Sequence, residues 1–488
     1  MSKLITTAIS YTNGSPHIGH LYESILADFI KNLNIISGTN TMLLTGTDEH
    51  GKKIEETAMK NNITPKELCD KFSNEFKHLN NRLHTNYDHF IRTTDTYHKE
   101  LVQKCLIKVR DSDDIYIDTY KGYYNVREEA FVSELECKQT DYKDPVTGKM
   151  YELVEESTYY FRLTKYKDML IEYLKNLNVM EYVKEELLRK VQSEDFRDLS
   201  ISRTSFKWGI EFPFDTKHIV YVWFDALLNY MSGRYKLFNE ENVSTTHIIG
   251  KDIVWFHAVI YPAILFALGW DQYVTPNIFI HGFIMDKNGV KMSKSLGNVV
   301  DCNYILDKYN LESIRYYLIT NTSIGDDINF SEDQMIAQYN NELIKSFGNL
   351  FQRLYKLLIP NQNMINLRLK DKNIESNYKA YREIIYEVIK DNNIKKYIRT
   401  INDRLNYLNK WIQDSMPWKK EEEERIMLLT DMLIELDIIL ILMFPIIPDK
   451  INELRGYLGL NNIDKNVLYN YDLQINIINN NIKVFKII

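Results

Sequence analysis

Cysteine is scarce in this sequence. Four cysteines occur among 488 residues, and no two of them form a C-x-x-C pair. They are Cys69, Cys105, Cys137 and Cys302. Paired cysteines would indicate a zinc knuckle, and a dense set would indicate a disulfide framework. Neither is indicated, and we expect a reduced, cytoplasmic protein.

A secretory signal and a long apolar run are also lacking. The first residues, MSKLITTAIS, enter an apolar strand pattern without a cleavage-site pattern. The longest apolar segment, residues 433–448, is interrupted by Glu435, Asp437 and prolines. It is too short and too charged to span a bilayer. We therefore predict a buried helix there and no association with a membrane.

The net charge of −7 argues against a general nucleic-acid binder, but the charge is unevenly distributed. Lysine and arginine exceed acidic residues in 345–420, and acidic residues dominate 421–440. A local basic surface is sufficient for phosphate contacts whatever the total charge. A solvated helix face would explain the same pattern.

The N-terminal pattern is strand, helix, strand. Residues 41–48 (TMLLTGTD) and the preceding KLITTAIS are short apolar runs bounded by turn residues. Between them, residues 20–36 place apolar side chains at helical spacing. This order predicts the start of a parallel nucleotide-binding sheet.

The first candidate motif lies in SYTNGSPHIGHLYESILADFI, residues 10–30. A turn precedes the predicted helix, whose unpaired N–H groups and partial positive charge can hold a phosphate. Gly19 would let a base approach the backbone, and His17 and His20 can donate to phosphate oxygens. A decorated turn is the alternative.

The second candidate motif is KMSKS, residues 291–295, flanked by Gly289 and Gly297. Lysines and serines in a flexible loop suit a clamp that closes over a triphosphate. Its polar residues are Lys291, Ser293, Lys294 and Ser295. Alone, this segment would be interpreted as a basic surface loop.

Together the two motifs resemble the signatures of class I aminoacyl-tRNA synthetases. Five segments are similar to methionyl-tRNA synthetases: ISYTNGSPHIGH, LTGTDEHG, YVWFDALLNYM, GKDIVWFHAVIYP and SMPW. The resemblance runs from residue 4 into the C-terminal helical part, and the GTDEHG form is typical of the bacterial and organellar-like branch.

The resemblance implies an α/β fold, a Rossmann-type parallel sheet split by a β-rich insertion and followed by an all-α anticodon-binding domain. The expected domains are the first Rossmann half (1–114), a connective insertion (115–218), the second Rossmann half (219–275), the KMSKS loop and stem-contact region (276–330), and the helical anticodon-binding domain with its C-terminal tail (331–488).

The resemblance also implies a methionine pocket. Asp48, at a strand end, would accept the α-ammonium group, with a helix N-cap as its alternative role. The other pocket positions are Ile9, Tyr11, Trp223, Ala226, Leu227, Tyr230, Ile253 and His257. The family has proline where Leu227 stands, so the resemblance does not define the local shape of the pocket at this position. An aromatic stripe that is simply core is the alternative.

The resemblance also implies the reaction and the residues that recognise RNA. The phosphates would be held by His17, His20, Lys291 and Lys294 with Mg²⁺, and Gly250 and Asp252 would contribute to the ATP or amino-acid side. Three residues match the readers of the CAU anticodon: Asn349, Arg353 and Trp418. The products are methionyl-adenylate with pyrophosphate, and then methionine on the terminal adenosine of tRNA(Met), for initiation and elongation.

Zinc is not expected, because Cys137 is the sole cysteine of the insertion and a four-ligand site needs more. No appended tRNA-binding or dimerisation module is recognised after the helical region, and we expect a monomer. Two alternatives stay open. One is a class I synthetase for valine, isoleucine, leucine or cysteine. The other is an RNA-binding relative without catalysis.

Overall fold

The computed structural model of the chain describes residues 2–125, 130–132, 134–145, 147–240, 242–292, 296–370, 372–469, 473–477, 482 and 484–485. Two compact units make up the chain. The sheet unit comprises Leu4–Pro16 and Met42–Ile280. The helical unit comprises Met1–Lys3, His17–Thr41 and His281–Ile488.

The elements among the described residues are as follows. The strands are β1 (Ser2–Thr7), β2 (Ser10–Tyr11), β3 (Asn40–Asp48), β4 (His89–Arg92), β5 (Ile115–Asn125), β6 (Ala130–Val132), β7 (Glu152–Phe161), β8 (Leu199–Ser200), β9 (Ser202–Arg203), β10 (Glu211–Phe212), β11 (Asp215–Val220), β12 (Val243–Gly250), β13 (Ile278–His281), β14 (Ile284–Met285) and β15 (Ile328–Asn329). The helices are α1 (Ile18–Ile36), α2 (Lys52–Lys60), α3 (Pro65–Arg82), α4 (Thr96–Asp111), α5 (Glu134–Gln139), α6 (Lys167–Lys175), α7 (Glu181–Gln192), α8 (Val222–Leu227), α9 (Asn229–Leu237), α10 (Tyr261–Ala267), α11 (Cys302–Lys308), α12 (Leu311–Thr320), α13 (Glu332–Gln338), α14 (Asn349–Leu358), α15 (Gln362–Lys370), α16 (Glu375–Asp391), α17 (Ile394–Ser415), α18 (Glu422–Met443) and α19 (Pro448–Tyr457).

The sheet unit is built on a six-stranded sheet in the order β13-β12-β1-β3-β2, with β4 paired to β3. The β2–β3 and β3–β4 pairs are parallel. Gly46 lets β3 and β4 come together, because a Cβ there would stand 2.0 Å from the backbone oxygen of Ile91. The parallel sheet and its helices confirm the predicted fold class.

Between β4 and β12 the sheet unit carries two smaller antiparallel sheets. One has the order β6-β5-β7-β8 and the other β10-β11-β9. The β5–β7 ladder extends from the pair Ile115–Phe161 to the pair Tyr124–Glu152. Ile115 and Phe161 are buried in the same core as Leu4 and Leu44 of the main sheet. This is the β-rich character that the resemblance implied for the insertion.

The helical unit combines α1 with the helices from α11 onward. α1 packs against α12 and α16. The predicted buried helix is α18, whose side chains are buried without interruption from Met432 to Met443. No described helix is long and apolar enough to cross a membrane.

Side-chain hydrogen bonds shape two further segments of the chain. Residues 53–83 form two helices because Thr64 caps α3, with Pro65 at its first position and Glu67 completing the capping box. The pattern of the C-terminal tail, QINIINNNIKVFKII (474–488), predicts a strand, yet its described residues 474–477 are not a strand. Side-chain amides of α15 bind that backbone instead: Asn366 bonds both the N–H and the C=O of Ile475. Most of the tail beyond 477 lies outside the described residues.

Candidate active site

Tyr230 and His257 form a buried hydrogen-bonded pair in the sheet unit. The Tyr230 hydroxyl lies 2.7 Å from Nε2 of His257, and Nδ1 of His257 lies 2.9 Å from the backbone oxygen of Ile253. Because a carbonyl oxygen only accepts, Nδ1 carries the proton and Nε2 accepts from Tyr230. Burial lowers the pKa of His257 to about 4, so the ring is neutral at physiological pH.

An aromatic wall adjoins this pair. The Trp223 ring stacks on Phe256 with centroids 3.7 Å apart and planes 7° apart, and it meets His257 edge-on at 6.4 Å. A π-helical turn, Phe256–Ile260, presents Phe256 and His257 in succession. Such turns are frequent at functional sites.

The remaining predicted pocket residues of the sheet unit belong to the same packing cluster or to its edge. Leu227 and Tyr230 are core members, and the half-buried side chains of Ile9, Tyr11 and Ile253 pack against that core. Ala226 is buried beside Leu227 on α8. These positions, which the resemblance selected, therefore lie in or near the main core of the sheet unit, which they share with many other side chains.

Asp48 ends β3 directly opposite Tyr11 of β2, and only 8% of it is exposed. Its backbone oxygen accepts hydrogen bonds from both the N–H and the hydroxyl of Thr12. The alternative role as an N-cap does not hold, because Gly51 is the N-cap of α2. A nearly buried carboxylate at the end of a parallel strand is suited to bind a cation such as an ammonium group.

Gly250 and Asp252 lie at the end of another strand of the same sheet. Gly250 ends β12 and precedes the turn Lys251–Ile253. Asp252 is exposed, whereas Ile253 is half-buried and supplies the carbonyl that holds His257. The turn thus connects a solvent-facing carboxylate with the Tyr230–His257 pair.

Phe256 and His247 were missed by the sequence analysis. The His247 ring packs against Tyr230 with centroids 4.4 Å apart and planes tilted by 49°, and its Nδ1 lies 2.8 Å from the Thr6 hydroxyl. Burial and the nearby His257 lower the pKa of His247 well below its ordinary value. The aromatic pattern around His257 was a signal for Phe256, but no local pattern connects His247 to a residue 241 positions away.

The first signature belongs to the helical unit, where His17 is the N-cap of α1. The backbone N–H of Gly19 donates to Nδ1 of His17, and the backbone N–H of His17 donates to Nδ1 of His20, each at 3.1 Å. The two rings lie 3.9 Å apart. This is a capping box made of imidazoles in place of the usual serine and glutamate.

The capping box fixes the tautomers of both rings. Each Nδ1 accepts a backbone proton, so in the neutral rings Nε2 carries the hydrogen. Desolvation and the neighbouring His17 lower the pKa of His20 well below its ordinary value. The N-terminus of α1 therefore offers two imidazole N–H groups in addition to the helix dipole.

The second signature is only partly within the described residues. Ser293, Lys294 and Ser295 lie outside them. Lys291 is exposed, with Nζ 4.0 Å from the centroid of the Phe283 ring. Asp286 organises the base of the loop, because its carboxylate accepts from the N–H groups of Asn288 and Val290 and from the Asn298 amide. These hydrogen bonds hold the pKa of Asp286 below its usual range.

Asn349 and Arg353 lie on one exposed face of α14, a turn apart. Trp418 is 52% exposed in the short turn Pro417–Lys419 between α17 and α18. A large aromatic ring with this exposure offers a face to a partner. All three predicted anticodon residues are therefore accessible, as base recognition requires.

In the part of the chain that the structure describes, no group of three or more His, Cys, Asp or Glu is placed to hold a metal ion. Cys137 is buried with Val132 and Tyr151 in a small apolar cluster. Its surroundings raise the pKa of its thiol, chiefly through desolvation.

A parallel Rossmann-type sheet, an imidazole-capped helix in the HIGH pattern and a KMSKS loop define a class I aminoacyl-tRNA synthetase. Sequence comparison gives the same class: the family profile "tRNA synthetases class I (M)" matches residues 3–140 and 134–355.

Individual relatives are more specific. The methionine–tRNA ligase of Rickettsia conorii is 36% identical over 476 residues, which are 94% of this chain and 92% of that protein. The Thermotoga maritima enzyme is 33% identical over 475 residues, 93% of this chain and 74% of that protein. A solved Mycobacterium tuberculosis methionyl-tRNA synthetase in complex with methionyl-adenylate superposes with a TM-score of 0.83, at 31% identity and 94% coverage of both chains. The chain belongs to the methionine–tRNA ligase family.

Proposed function

We propose that this chain activates methionine with ATP and transfers it to tRNA(Met), with the residues of the two signatures and of the aromatic pocket in the roles that follow. The observation that carries the proposal is the neutral Tyr230–His257 pair beside the Trp223–Phe256 stack. Together they form an apolar, shape-defined wall, which is what a thioether side chain needs.

Methionine recognition divides between charge and shape. The carboxylate of Asp48 binds the α-ammonium group. The thioether sulfur is a weak acceptor and is held mainly by apolar contact with the aromatic wall and the aliphatic positions. Because the Tyr230 hydroxyl donates its proton to His257, that proton is not donated to the sulfur. Homocysteine, one methyl smaller, is rejected by only about 1–3 kcal/mol from such contacts.

The first reaction step breaks one phosphoanhydride bond. A carboxylate oxygen of methionine attacks the α-phosphorus of ATP, and pyrophosphate leaves with the bonding electrons. The Nε2–H groups of His17 and His20 stabilise the negative charge that develops on the phosphate oxygens. Lys291 and Lys294, with Ser293 and Ser295, bind the departing pyrophosphate, and Mg²⁺ accompanies ATP as part of the substrate complex. Gly250 and Asp252 contribute to the ribose or amino-acid side.

The second step moves the methionyl group to RNA. A ribose hydroxyl of the terminal adenosine attacks the carbonyl carbon of the adenylate, and AMP leaves. Residues 331–488 act as the anticodon-binding domain. Asn349 and Arg353 hydrogen-bond the edges of unpaired CAU bases, and Trp418 stacks on one of them.

The proposal includes no structural zinc. The insertion carries a single cysteine, and that cysteine is buried among apolar side chains. Elemental analysis of the purified protein should find zinc far below one atom per chain. A stoichiometric value would contradict this part of the proposal and leave the reaction itself untouched.

Pyrophosphate exchange tests the proposal directly. Purified protein is given ATP, labelled pyrophosphate, Mg²⁺ and each of the twenty amino acids separately, without tRNA. Exchange with methionine alone supports the pocket and the adenylating step together. Exchange with another amino acid contradicts the pocket assignment. No exchange from a folded sample that still binds tRNA would favour the non-catalytic RNA-binding relative.

A further inference from the structure

A hydrogen-bonded chain of four buried polar residues lies in the sheet unit. Asp225 accepts a hydrogen bond from Nδ1 of His50 at 2.6 Å through one carboxylate oxygen and from Nε2 of His98 at 2.7 Å through the other. Nδ1 of His98 in turn lies 2.7 Å from the Ser232 hydroxyl. None of the four is more than 3% exposed. They come from four separate places in the chain: the segment after β3, α4, α8 and α9.

The carboxylate is ionised in this setting. Burial by itself would raise the pKa of Asp225, but the neighbouring His50 and the hydrogen bonds from both rings outweigh it and hold the pKa below its usual value. An ionised carboxylate only accepts, so His50 and His98 each donate an N–H to it. Hydrogen bonds to a charged group are roughly twice as strong as neutral ones.

The positions of these residues in the sequence connect the network to the proposed methionine pocket. Asp225 stands two residues after Trp223 and immediately before Ala226, both in the proposed pocket. His50 stands two residues after Asp48, the proposed partner of the ammonium group. The Asp225–His50 bond therefore ties the helix that carries the aromatic wall to the strand end that carries the charged ligand.

The segment around His50 is fastened on its other side as well. Arg92 bonds both carboxylate oxygens of Glu49, and the indole N–H of Trp208 donates to the Glu49 backbone oxygen. Gly51 has φ +118°, a conformation that glycine adopts readily and other residues avoid. Because the segment around His50 is anchored in this way, the end of β3 can move relative to α8 only if the Asp225–His50 hydrogen bond breaks.

We propose that Asp225 is a positioning residue for methionine, holding α8 in register with Asp48 through His50 while His98 orients its carboxylate. The inference rests on the proposed function, because the pocket residues are assigned there. It adds a residue that touches neither substrate and acts through Trp223, Ala226 and Asp48. Loss of its charge leaves two buried N–H donors competing for one amide oxygen.

The test compares Michaelis constants in methionine-dependent pyrophosphate exchange. Asp225→Asn should raise KM for methionine roughly tenfold or more and change KM for ATP by less than about twofold. His218→Asn is the matched control, since His218 is another buried imidazole of the sheet unit, hydrogen-bonded to Ser202 through Nδ1 at 2.9 Å. It should lower thermal stability and leave KM for methionine unchanged.

A pair of substitutions at His50 separates positioning from packing. In His50→Asn the side-chain amide nitrogen takes the place of Nδ1 and preserves the donor, whereas His50→Leu fills more of the volume and removes it. Positioning predicts that Asn stays within about twofold of the unsubstituted KM for methionine and that Leu raises it as Asp225→Asn does. Packing alone predicts the reverse order. The two His50 variants still test the positioning role if Asp225→Asn fails to fold.

The outcomes separate the two levels of the proposal. An unchanged KM for methionine in Asp225→Asn, equal impairment by both His50 variants, or a parallel rise in KM for ATP would overturn the positioning role alone, provided that the unsubstituted protein exchanges with methionine. No methionine-dependent exchange in the unsubstituted protein would overturn the proposed function and, with it, this inference.

Discussion

The Tyr230 hydroxyl donates to Nε2 of His257 at 2.7 Å, and the other ring nitrogen of His257 is committed to the Ile253 carbonyl. Both polar atoms of the imidazole are thereby satisfied while the ring stays uncharged. A neutral, fully bonded histidine presents an apolar face, so two residue types that are usually polar can line a thioether pocket. Protonation of Nε2 would remove the acceptor that Tyr230 uses.

The first prediction concerns stability against pH. The pKa of His257 is about 4 in the folded chain against 6.5 for an ordinary histidine. The unfolded chain therefore binds more protons between these values, and this residue's contribution to stability is lost as pH falls from about 6.5 to about 4. In His257→Asn this contribution is absent. The free energy of unfolding lost between pH 6.5 and pH 4 should therefore be smaller than in the unsubstituted protein by about 3 kcal/mol. Thermal unfolding midpoints at half-unit pH intervals measure it.

His84→Asn is the control for this experiment. His84 is exposed and has φ +52°, a backbone conformation that asparagine tolerates. The control should keep the pH dependence of the unsubstituted protein. A His257→Asn curve parallel to the unsubstituted one would show that His257 is not held neutral by burial.

The second prediction separates the two roles of His17. Asparagine is among the best N-cap residues, so His17→Asn should retain the cap of α1 and leave thermal stability nearly unchanged. It removes the Nε2–H donor, and kcat for pyrophosphate exchange should fall about 10²–10³-fold. Stopped-flow and steady-state exchange assays measure this, with circular dichroism reporting the helix. Full exchange activity in a folded variant would exclude the imidazole from phosphate stabilisation.

The start of α1 illustrates how far the sequence could lead. The apolar spacing of residues 20–36 predicted a helix, and the structure extends it to Ile18–Ile36. The imidazole capping box was not predictable from pattern, because caps are recognised by serine, threonine, asparagine and aspartate. The motif thus predicted phosphate binding, whereas the tautomers of the two imidazoles could be assigned only from the three-dimensional contacts.

The C-terminal tail and the Asp225 network show two different limits of prediction from a single sequence. The pattern of residues 474–488 favoured a strand, but amide side chains of α15 bind the backbone of Ile475 and Ile477. The Asp225 contacts join residues 175 and 127 positions apart. A single sequence carries no signal at such separation, whereas the pocket residues could be proposed because each lies in a short segment that resembles the family.

The third prediction concerns RNA. Trp418→Ala should weaken tRNA(Met) binding by about 1–3 kcal/mol and raise KM for tRNA in aminoacylation, because a stacked base loses its platform. Methionine-dependent exchange without tRNA should be unchanged. Tyr386→Ala is the control, since Tyr386 is 67% exposed on α16 and is not among the anticodon residues. Equal loss of exchange and charging in Trp418→Ala would contradict a role in the anticodon.

The last prediction concerns how α1 is held in the helical unit. Arg315 on α12 is fully buried; it bonds the Asp28 carboxylate of α1 at 2.6 Å and the backbone oxygen of Ile446 at 2.7 Å. Removing one partner of a buried ion pair leaves an uncompensated charge, so Arg315→Met should lower the free energy of unfolding by about 3–5 kcal/mol. Urea unfolding followed by circular dichroism measures it, with Arg353→Met, on the exposed face of α14, as the control expected within about 0.5 kcal/mol.

The double variant Asp28→Leu with Arg315→Met distinguishes the ion pair from simple packing. If charge is the main component, the double variant should be destabilised by less than the sum of the two single variants, because neither charge is left alone. If the losses add, the pair contributes through packing and through the Ile446 bond alone. Since α1 begins at the imidazole cap, any variant that loosens this anchor should also lower kcat for exchange before it unfolds the chain. Unchanged exchange in a destabilised Arg315→Met protein would show that the cap keeps its geometry without this anchor.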